Sequence, residues 1–516
     1  MSDRQIWIVD FGSQYTQLIT RKSRELGYSS EIITVEKCRE LFEKNLRPKA
    51  LVLSGGPQSV FEDETDYSFI FNEDLPIFGI CYGMQLIGKY FGGTVEKGTI
   101  GEYGHANLHF VGDYSIAHCP SNVNVWMSHS DHVSKLPKEF NLVMESHNKL
   151  VAAIEHKDRP IFGLQFHPEV EHSEHGKDIL NHFFEGIAKL EKDWDATEML
   201  KEADELVGKI GQAKVLCAFS GGVDSLVAAA IAHRLIGDNL YCFFVDHGLL
   251  RPQDHAHIEV LKKETGLNIE VIDATPTFLP KLVGLSDPED KRKCIGRTFI
   301  EVFEQKVHEF ESNHGIKFEY LLQGTLYPDV IESISPHEKD GKSVTIKSHH
   351  NVGGLPERMK LKLLEPLRYL FKDEVRALGK ELGLNPEWVH RHPFPGPGIG
   401  IRVLGELKPE SIKKVQESDQ ILFEELHNQN LYMATWQAFT VLLPVKTVGV
   451  KGDSRAYEEV ICVRLVNSSD GMTATWSDMP YEFLSKVSNR ITNEVKGVTR
   501  VVYDITSKPP GTIEWE

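Results

Sequence analysis

Two short segments of this chain combine residue types that could do chemistry. Cys81 stands in Gly79-Ile80-Cys81-Tyr82-Gly83, where an apolar run ends and a helix can begin. The free N–H groups and the dipole of a helix N-terminus favour thiolate over thiol, so this sulfur would be nucleophilic near neutral pH. The second segment, Ser220-Gly221-Gly222-Val223-Asp224-Ser225, lies between a strand-like run and an alanine-rich helical pattern, where backbone N–H groups can hold phosphate. The chain therefore offers a candidate nucleophile and a candidate phosphate site.

A nucleophilic cysteine needs a base and a group that orients the base. His167-Pro168-Glu169 supplies both, because the proline favours an extended backbone before it and the imidazole and carboxylate could point the same way. The backbone N–H groups of Gly56 and Tyr82 could stabilise an oxyanion. An isolated cysteine is more often a buried structural residue, but these companions favour a triad of Cys81, His167 and Glu169.

The second segment differs from a Walker A loop. The lysine that reaches the β- and γ-phosphates is missing, whereas Asp224 could hold an Mg²⁺ ion that bridges phosphate oxygens. Val245 ends the next predicted strand, near the crevice where open α/β sheets bind ligands, although a plain turn would look the same. The expected ATP-binding residues are Ser220, Gly221, Gly222, Val223, Asp224, Ser225, Leu226 and Val245.

A third segment, from Pro336 to Pro356, is rich in Gly, His, Lys and Ser and has little apolar periodicity. Its length is unusual for a structureless connection, so it is a candidate lid. Lys347, His349 and His350 could neutralise phosphate charge when such a lid closes. A solvated flexible loop is the alternative interpretation.

Repeated strand–turn–helix patterns must position these residues. Apolar runs begin at Ile6, Ala50 and Pro76, and again at Val215 and Leu240, which predicts parallel sheets covered by helices. A charged stretch with helical spacing from Lys189 to Lys214 predicts a helical linker between domains. We therefore expect an α/β chain with two parallel-sheet domains, the second Rossmann-like, and a small C-terminal α+β domain. The predicted domains are residues 1–190, 191–391 and 392–516.

The charge and the cysteine content of the chain argue against several classes of partner and site. The 57 basic and 75 acidic residues give a net charge of −18, which argues against general electrostatic binding to nucleic acid or anionic membranes. Seven scattered cysteines without a Cys-x-x-Cys pair argue against a disulfide framework or a zinc knuckle. The sequence shows no signal peptide pattern and no long apolar run, so we expect a cytoplasmic protein.

The triad candidates and Ser54-Gly55-Gly56-Pro57 resemble the class I glutamine amidotransferases over residues 1 to about 190. In that family the cysteine attacks the glutamine side-chain amide, and ammonia leaves for a second site. The segment from Ser220 to Ser225 resembles the PP-loop of the ATP pyrophosphatases, which cleave ATP between the α- and β-phosphates. That resemblance implies that Asp224 is the metal ligand.

Three further segments resemble the glutamine-hydrolysing GMP synthases: Ile346–Asn351, Arg391–Gly398 and Tyr503–Glu516. This resemblance implies that ATP adenylylates xanthosine monophosphate (XMP) at its 2-oxygen, with Mg²⁺, and that ammonia then displaces AMP. It also implies a homodimer formed through the C-terminal domain. The implied XMP contacts, which could instead be structural salt bridges or tail anchors, are Arg292, Gln437, Arg500, Lys508, Ile513 and Glu514.

Two alternatives stay open at this point. NAD synthetases and other PP-loop amidating enzymes also combine ammonia with adenylylation, although the C-terminal tail and the run from Arg391 to Gly398 argue against them. A glutamine or nucleotide sensor would keep the same binding residues without turnover, although the complete triad and phosphate loop argue against that function.

Overall fold

The strand–turn–helix units predicted from the sequence are present in the computed structural model. The structure describes residues 4–112, 114, 116, 119–333, 360–451, 454–468, 471 and 473–516. The candidate lid and its residues Lys347, His349 and His350 lie outside this set. The chain divides into two units, Met1–Glu198 and Met199–Glu516.

The first unit is built on one nine-stranded sheet, with strand order β2-β1-β3-β4-β9-β8-β7-β5-β6. Its strands are β1 (Ile6–Asp10), β2 (Ser30–Thr34), β3 (Ala50–Leu53), β4 (Ile77–Ile80), β5 (Thr94–Phe110), β6 (Asn122–Lys135), β7 (Phe140–Ser146), β8 (Val151–His156) and β9 (Ile161–Leu164). Its helices are α1 (Thr16–Glu25), α2 (Val35–Glu43), α3 (Ser68–Phe71), α4 (Tyr82–Tyr90) and α5 (Gly176–Asn181), which continues as a π-helix over His182–Ile187.

The parallel part of this sheet confirms the expectation for the first domain. β1, β2, β3, β4 and β9 pair in parallel, and every residue of β3, β4 and β9 is buried. Strands covered on both faces need no polar alternation, which explains their continuous apolar sequences.

The sheet differs from a purely parallel one over residues 94–156. There β5, β6, β7 and β8 form an antiparallel extension, and β8 joins it to β9. In β6 buried and partly exposed residues alternate, as expected for a strand with one face on the core. The first domain therefore combines a parallel sheet with an antiparallel extension that the sequence interpretation did not include.

The division between the units falls within helix α6 (Ala196–Gly208), inside the stretch predicted to be a helical linker. The second unit contains a five-stranded parallel sheet with order β12-β11-β10-β13-β14. Its strands are β10 (Val215–Ala218), β11 (Leu240–Asp246), β12 (Ile269–Asp273), β13 (Tyr320–Leu322) and β14 (Lys362–Leu364). The helices around it are α7 (Val223–Ile236), α8 (Pro252–Thr265), α9 (Thr275–Leu282), α10 (Pro288–His314), α11 (Tyr327–Ser333), α12 (Lys372–Glu381) and α13 (Pro386–Val389).

The C-terminal part of this unit is α+β, as predicted. Helices α14 (Pro409–Asn428) and α15 (Tyr481–Glu494) accompany a second sheet. Its strands are β15 (Gln437–Lys451), β16 (Ser454–Asn467), β17 (Thr475–Trp476) and β18 (Val498–Tyr503). One apolar core contains residues of both sheets, including Phe243 of β11 and Ile461 of β16. The predicted boundary at residue 391 thus lies within one packed unit, and the three-domain division stays a prediction.

Among the helices of the described residues, none has both the length and the apolar character that a membrane span requires.

Candidate active sites

Cys81 occupies the turn between β4 and α4, as the sequence predicts for a nucleophile. Its backbone has φ 51° and ψ −105°, a conformation that L-residues rarely adopt outside functional sites. The turn needs glycine on both sides, because a Cβ on Gly79 would lie 2.6 Å from the backbone carbon of Gly83. A Cβ on Gly83 would lie 2.4 Å from the carbonyl oxygen of Leu53. The thiol is therefore presented at the start of a helix by a backbone that close packing holds in place.

His167 and Glu169 complete a buried constellation with Cys81. The Nδ1 atom of His167 lies 2.8 Å from Oε1 of Glu169. Both side chains are almost fully buried. Burial alone would lower the pKa of His167, but the Glu169 carboxylate and the nearby Cys81 side chain outweigh it and raise this pKa to about 10. The Glu169 carboxylate therefore stabilises the protonated form of the imidazole.

The strand ends next to Cys81 bring the predicted oxyanion residues together. Tyr82 is the first residue of α4, so its N–H has no acceptor within the helix. Gly56 packs close to it, since a Cβ on Gly56 would lie 3.4 Å from Cγ of Tyr82 and 2.8 Å from the carbonyl oxygen of Phe11. The N–H of Gly83 donates to the carbonyl oxygen of Ser54 over 3.1 Å, which ties the two strand ends to one another.

Two neighbours of the thiol were not found from the sequence. Nε2 of Gln165 lies 3.7 Å from Sγ of Cys81, and Sγ lies 3.9 Å from the carbonyl oxygen of Ser128. Ser128 belongs to β6, so the antiparallel extension supplies one wall of the site. Gln165 stands two residues before His167, which is the only sequence signal that could have indicated it.

The loop from Ser220 to Ser225 closes on itself between β10 and α7. The hydroxyl of Ser225 donates to the carbonyl oxygen of Gly222 over 3.0 Å and lies 3.0 Å from the Ser220 hydroxyl. Gly221 has φ 71°, and a Cβ there would lie 2.7 Å from Cδ1 of Ile258. The N–H groups of Ser220 and Gly222 donate to the hydroxyls of Ser225 and Ser220, each over 3.3 Å, so hydrogen bonds within the loop hold its shape.

The side chains of the other predicted ATP contacts lie in the core. Val223 and Leu226 are buried in α7, and Val245 is buried at the end of β11. Only their backbone groups are therefore placed to reach a ligand.

Asp224 forms an ion pair that the sequence did not reveal. Nζ of Lys372, on α12, lies 2.7 Å from Oδ1 and 2.6 Å from Oδ2 of Asp224. Gly324 packs against the same residue, because a Cβ on Gly324 would lie 2.8 Å from the Asp224 carbonyl carbon. The loop lacks the Walker A lysine, but Lys372 supplies a cation from elsewhere in the chain.

The predicted XMP contacts separate into three places. Gln437 donates to Glu514 over 2.8 Å, and the carbonyl oxygen of Ile513 accepts from Arg464 over 3.3 Å. Arg292 donates to the Glu516 carbonyl oxygen over 2.5 Å, so it meets the same tail. The described contacts of the remaining two residues lie elsewhere: Lys508 donates to Gly471 over 2.7 Å, and Arg500 donates to Thr447 over 3.3 Å.

Comparison with known proteins identifies the family to which the chain belongs. Residues 7–187 match the family described as "Glutamine amidotransferase class-I", and residues 424–515 match the family described as "GMP synthase C terminal domain". The protein named GMP synthase (glutamine-hydrolyzing) of Aquifex aeolicus (strain VF5) is 50% identical over 521 aligned residues, covering 100% of both chains. The chain belongs to the glutamine-hydrolysing GMP synthases. It is an enzyme, a ligase that uses glutamine as its nitrogen donor.

Two further relatives carry the same name. The protein of the same name from Thermosipho africanus (strain TCF52B) is 50% identical, with 99% of each chain covered. That of Helicobacter pylori (strain J99 / ATCC 700824) is 53% identical, covering 99% of this chain and 100% of its own. A solved structure described as a putative GMP synthase subunit from Thermoplasma acidophilum has a TM-score of 0.33 and 36% identity; it covers 36% of this chain and 93% of its own.

Proposed function

We propose that this protein uses two sites in sequence. Cys81, His167 and Glu169 release ammonia from glutamine, and the phosphate loop with the C-terminal tail converts XMP to GMP. The observation that carries the first half is the buried contact of His167 with Glu169, together with the placement of Cys81 at the start of α4. XMP as the acceptor of the nitrogen is supported by the sequence identity of 50% to GMP synthases over nearly their whole length.

At the first site the Cys81 thiolate attacks the side-chain carbonyl carbon of glutamine. Protonated His167 then gives its proton to the leaving nitrogen, so that ammonia departs and an acyl-enzyme remains. Water, deprotonated by His167, attacks the acyl-enzyme, which releases glutamate and restores the Cys81 thiolate beside protonated His167. The N–H groups of Gly56 and Tyr82 hold the oxyanion in both steps, while Glu169 orients the imidazole.

At the second site the backbone N–H groups of Ser220–Ser225 hold the phosphates of ATP. The 2-oxygen of XMP attacks the α-phosphorus and pyrophosphate leaves; ammonia then attacks C2 and AMP leaves, giving GMP. Lys372 stabilises negative charge next to the loop. The carboxylate of Asp224 and the hydroxyl of Ser220 are hard oxygen donors that suit Mg²⁺, and an ion held there would neutralise phosphate charge.

The carboxylate of Glu514, on the tail, and the amide of Gln437, on β15, suit the XMP base and ribose. Glu514 can accept from a ring N–H or a ribose hydroxyl, and Gln437 is already hydrogen-bonded to it. Arg292, Lys508 and Arg500 are cations that suit a 5′-phosphate. The backbone of Ile513 is held beside Glu514 by Arg464.

A homodimer through the C-terminal domain is also part of this proposal. The ends of β15 and β16 expose Val448 (58%) and its strand partner Tyr457 (67%), together with Val450 (76%). Val448 and Val450 are two residues apart, so all three share one face of the hairpin. An exposed apolar face of this kind is typical of a surface that a partner covers.

The test is product analysis with Mg-ATP and ammonia, with and without XMP. We expect GMP, AMP and pyrophosphate in equal amounts, and only when XMP is present. ATP that stays intact in the presence of XMP would show that the acceptor is wrong. Repeating the assay with glutamine in place of ammonia then tests the first site separately.

A further inference from the structure

A row of charged side chains crosses the second unit from the phosphate loop to the C-terminal tail; its four inner members are buried, and the two at its ends are partly exposed. Their signs alternate, so the row has as many cations as anions. Its members, in order, are Arg391, Asp254, Arg251, Asp419, Arg402 and Glu514. Neutrality matters here, because an unpaired ion is strongly disfavoured away from water.

The first half of the row holds the phosphate loop. NH1 of Arg391 donates to the carbonyl oxygen of Gly221 over 3.2 Å, and its NH2 pairs with Asp254. Asp254 also accepts from Nε and NH2 of Arg251, over 3.1 and 2.9 Å. Arg251 is the residue before α8 and is 2% exposed.

The second half holds the tail. Nε and NH2 of Arg402 donate to the two carboxylate oxygens of Glu514, over 3.2 and 2.9 Å. This two-bond geometry fixes the plane of the Glu514 carboxylate as well as its position. Gln437 donates to the same carboxylate. Arg402 is fully buried.

Asp419 joins the halves. Its Oδ1 accepts from the N–H and the hydroxyl of Thr440, over 2.7 and 3.1 Å. Its Oδ2 lies 3.6 Å from NH1 of Arg402 and 3.9 Å from NH1 of Arg251, and makes no hydrogen bond within the part of the chain that the structure describes. Asp419 is fully buried. It therefore acts on the two arginines through charge.

Phe394 packs against the same two arginines. Its ring centroid lies 4.3 Å from the guanidinium carbon of Arg251 and 5.2 Å from that of Arg402. Phe394 belongs to the proline-rich run from Arg391 to Gly398, which the two-site mechanism leaves without a role. This run thus supplies both Arg391, at one end of the row, and an aromatic face at its middle.

We propose that Asp419 is a positioning residue for GMP synthesis, which holds Arg251 and Arg402 in register and so aligns the phosphate loop with Glu514. The inference rests on the proposed roles of the loop and of Glu514. The α-phosphorus of ATP and the 2-oxygen of XMP react only when they are held in line, so a shift of either side weakens both substrates' productive binding.

The test compares variants of the full-length chain in ammonia-dependent synthesis. Asp419→Asn keeps the shape of the side chain and removes its charge, which leaves two buried arginines facing each other. Arg251→Gln combined with Asp419→Asn leaves Arg391–Asp254 and Arg402–Glu514 as complete pairs, so it restores neutrality. Glu417→Gln is the matched control, because it removes one charge from the same helix at a side chain that is 40% exposed.

We measure the KM values for ATP and XMP and the temperature of unfolding. For Asp419→Asn we expect both KM values to rise by roughly tenfold and the unfolding temperature to fall, with no change in the control. For the double variant we expect the unfolding temperature to recover while both KM values stay raised. If Asp419→Asn does not fold, the KM values of the double variant test the inference.

Two results would overturn the inference: KM values for Asp419→Asn within about twofold of wild type, or KM values that recover together with the unfolding temperature in the double variant. The second result would mean that Asp419 only balances charge. Wild-type protein that forms no XMP-dependent AMP would overturn the proposed function, and this inference with it.

Discussion

In the proposed mechanism, nitrogen transfer from glutamine depends on Cys81. Replacing it with alanine removes the nucleophile, and we expect glutamine-dependent GMP formation to fall by at least about a hundredfold. Ammonia-dependent synthesis should stay within twofold of wild type, roughly the scatter of such assays, because the second site is separate. Both activities are measured as GMP released. Loss of both would contradict the two-site mechanism.

The raised pKa of His167 makes the stability of the first unit depend on pH. Its folded pKa of about 10 exceeds the ordinary value of 6.5, so the stabilisation is complete below pH 6.5 and is lost as the pH rises towards 10. Glu169→Gln removes the main charge that raises this pKa. We expect the deficit in unfolding free energy of this variant to be largest near pH 6 and to shrink towards pH 10, in urea titrations.

Glu171→Gln is the control for that experiment. The hydrogen bond from Lys22 lowers the pKa of Glu171, so its carboxylate stays ionised throughout the range from pH 6 to 10. Its substitution should therefore give a deficit that does not change over this range. A flat deficit for Glu169→Gln as well would refute the pairing of His167 with Glu169.

In the proposed mechanism, Asp224 serves synthesis from either nitrogen source. Asp224→Asn removes the candidate metal ligand and leaves Lys372 without its ion pair, so we expect GMP formation from glutamine and from ammonia to fall by roughly a hundredfold. Asp238→Asn, an exposed position just after α7, should change neither rate. A defect limited to glutamine would show that Asp224 acts elsewhere.

At the scale of the element, the turn from β4 to α4 depends on how closely α4 approaches β3. Alanine usually stabilises a helix relative to glycine by up to about 1 kcal/mol. In Gly83→Ala the added Cβ would meet the Leu53 carbonyl, so we instead expect a loss of about 1–3 kcal/mol of stability. Glutamine turnover should fall with it. Gly208→Ala in α6, where a Cβ meets nothing within 4 Å, is the control for thermal unfolding.

Local patterns predicted the elements that carry the two motifs. Cys81 and the Ser220 loop each follow a short apolar strand and precede a helix, so a few neighbouring residues determine their placement. β6 was missed because His129 and Asp131 are polar at positions that the structure buries, which interrupts the apolar alternation. His129 directly follows Ser128, whose carbonyl oxygen contacts the thiol.

Partners that are distant in the chain could not be predicted in this way. Lys372 meets Asp224 across 148 residues, and Arg402 meets Glu514 across 112. No spacing rule relates such residues, because the helices and loops between them determine the contact. Similarity to the family indicated Glu514 but did not reveal that Arg402 orients it.

At the scale of the whole molecule, the proposed dimer depends on the exposed apolar face of the hairpin of β15 and β16. Val448→Asp combined with Tyr457→Asp places two charges on its apolar face, and we expect the mass from light scattering to fall from dimer to monomer. Val260→Asp on α8, which is 40% exposed, should leave the mass unchanged. A wild-type protein that is already monomeric would refute the dimer.

The left-handed backbone of Cys81 has an evolutionary consequence. Glycine would occupy φ 51° without strain, so the fold by itself would be more stable with glycine at this position. Cysteine persists there only where selection for glutamine use exceeds selection for stability. In a lineage supplied with free ammonia, this residue is therefore the one in the triad that we expect to drift first, and to drift towards glycine.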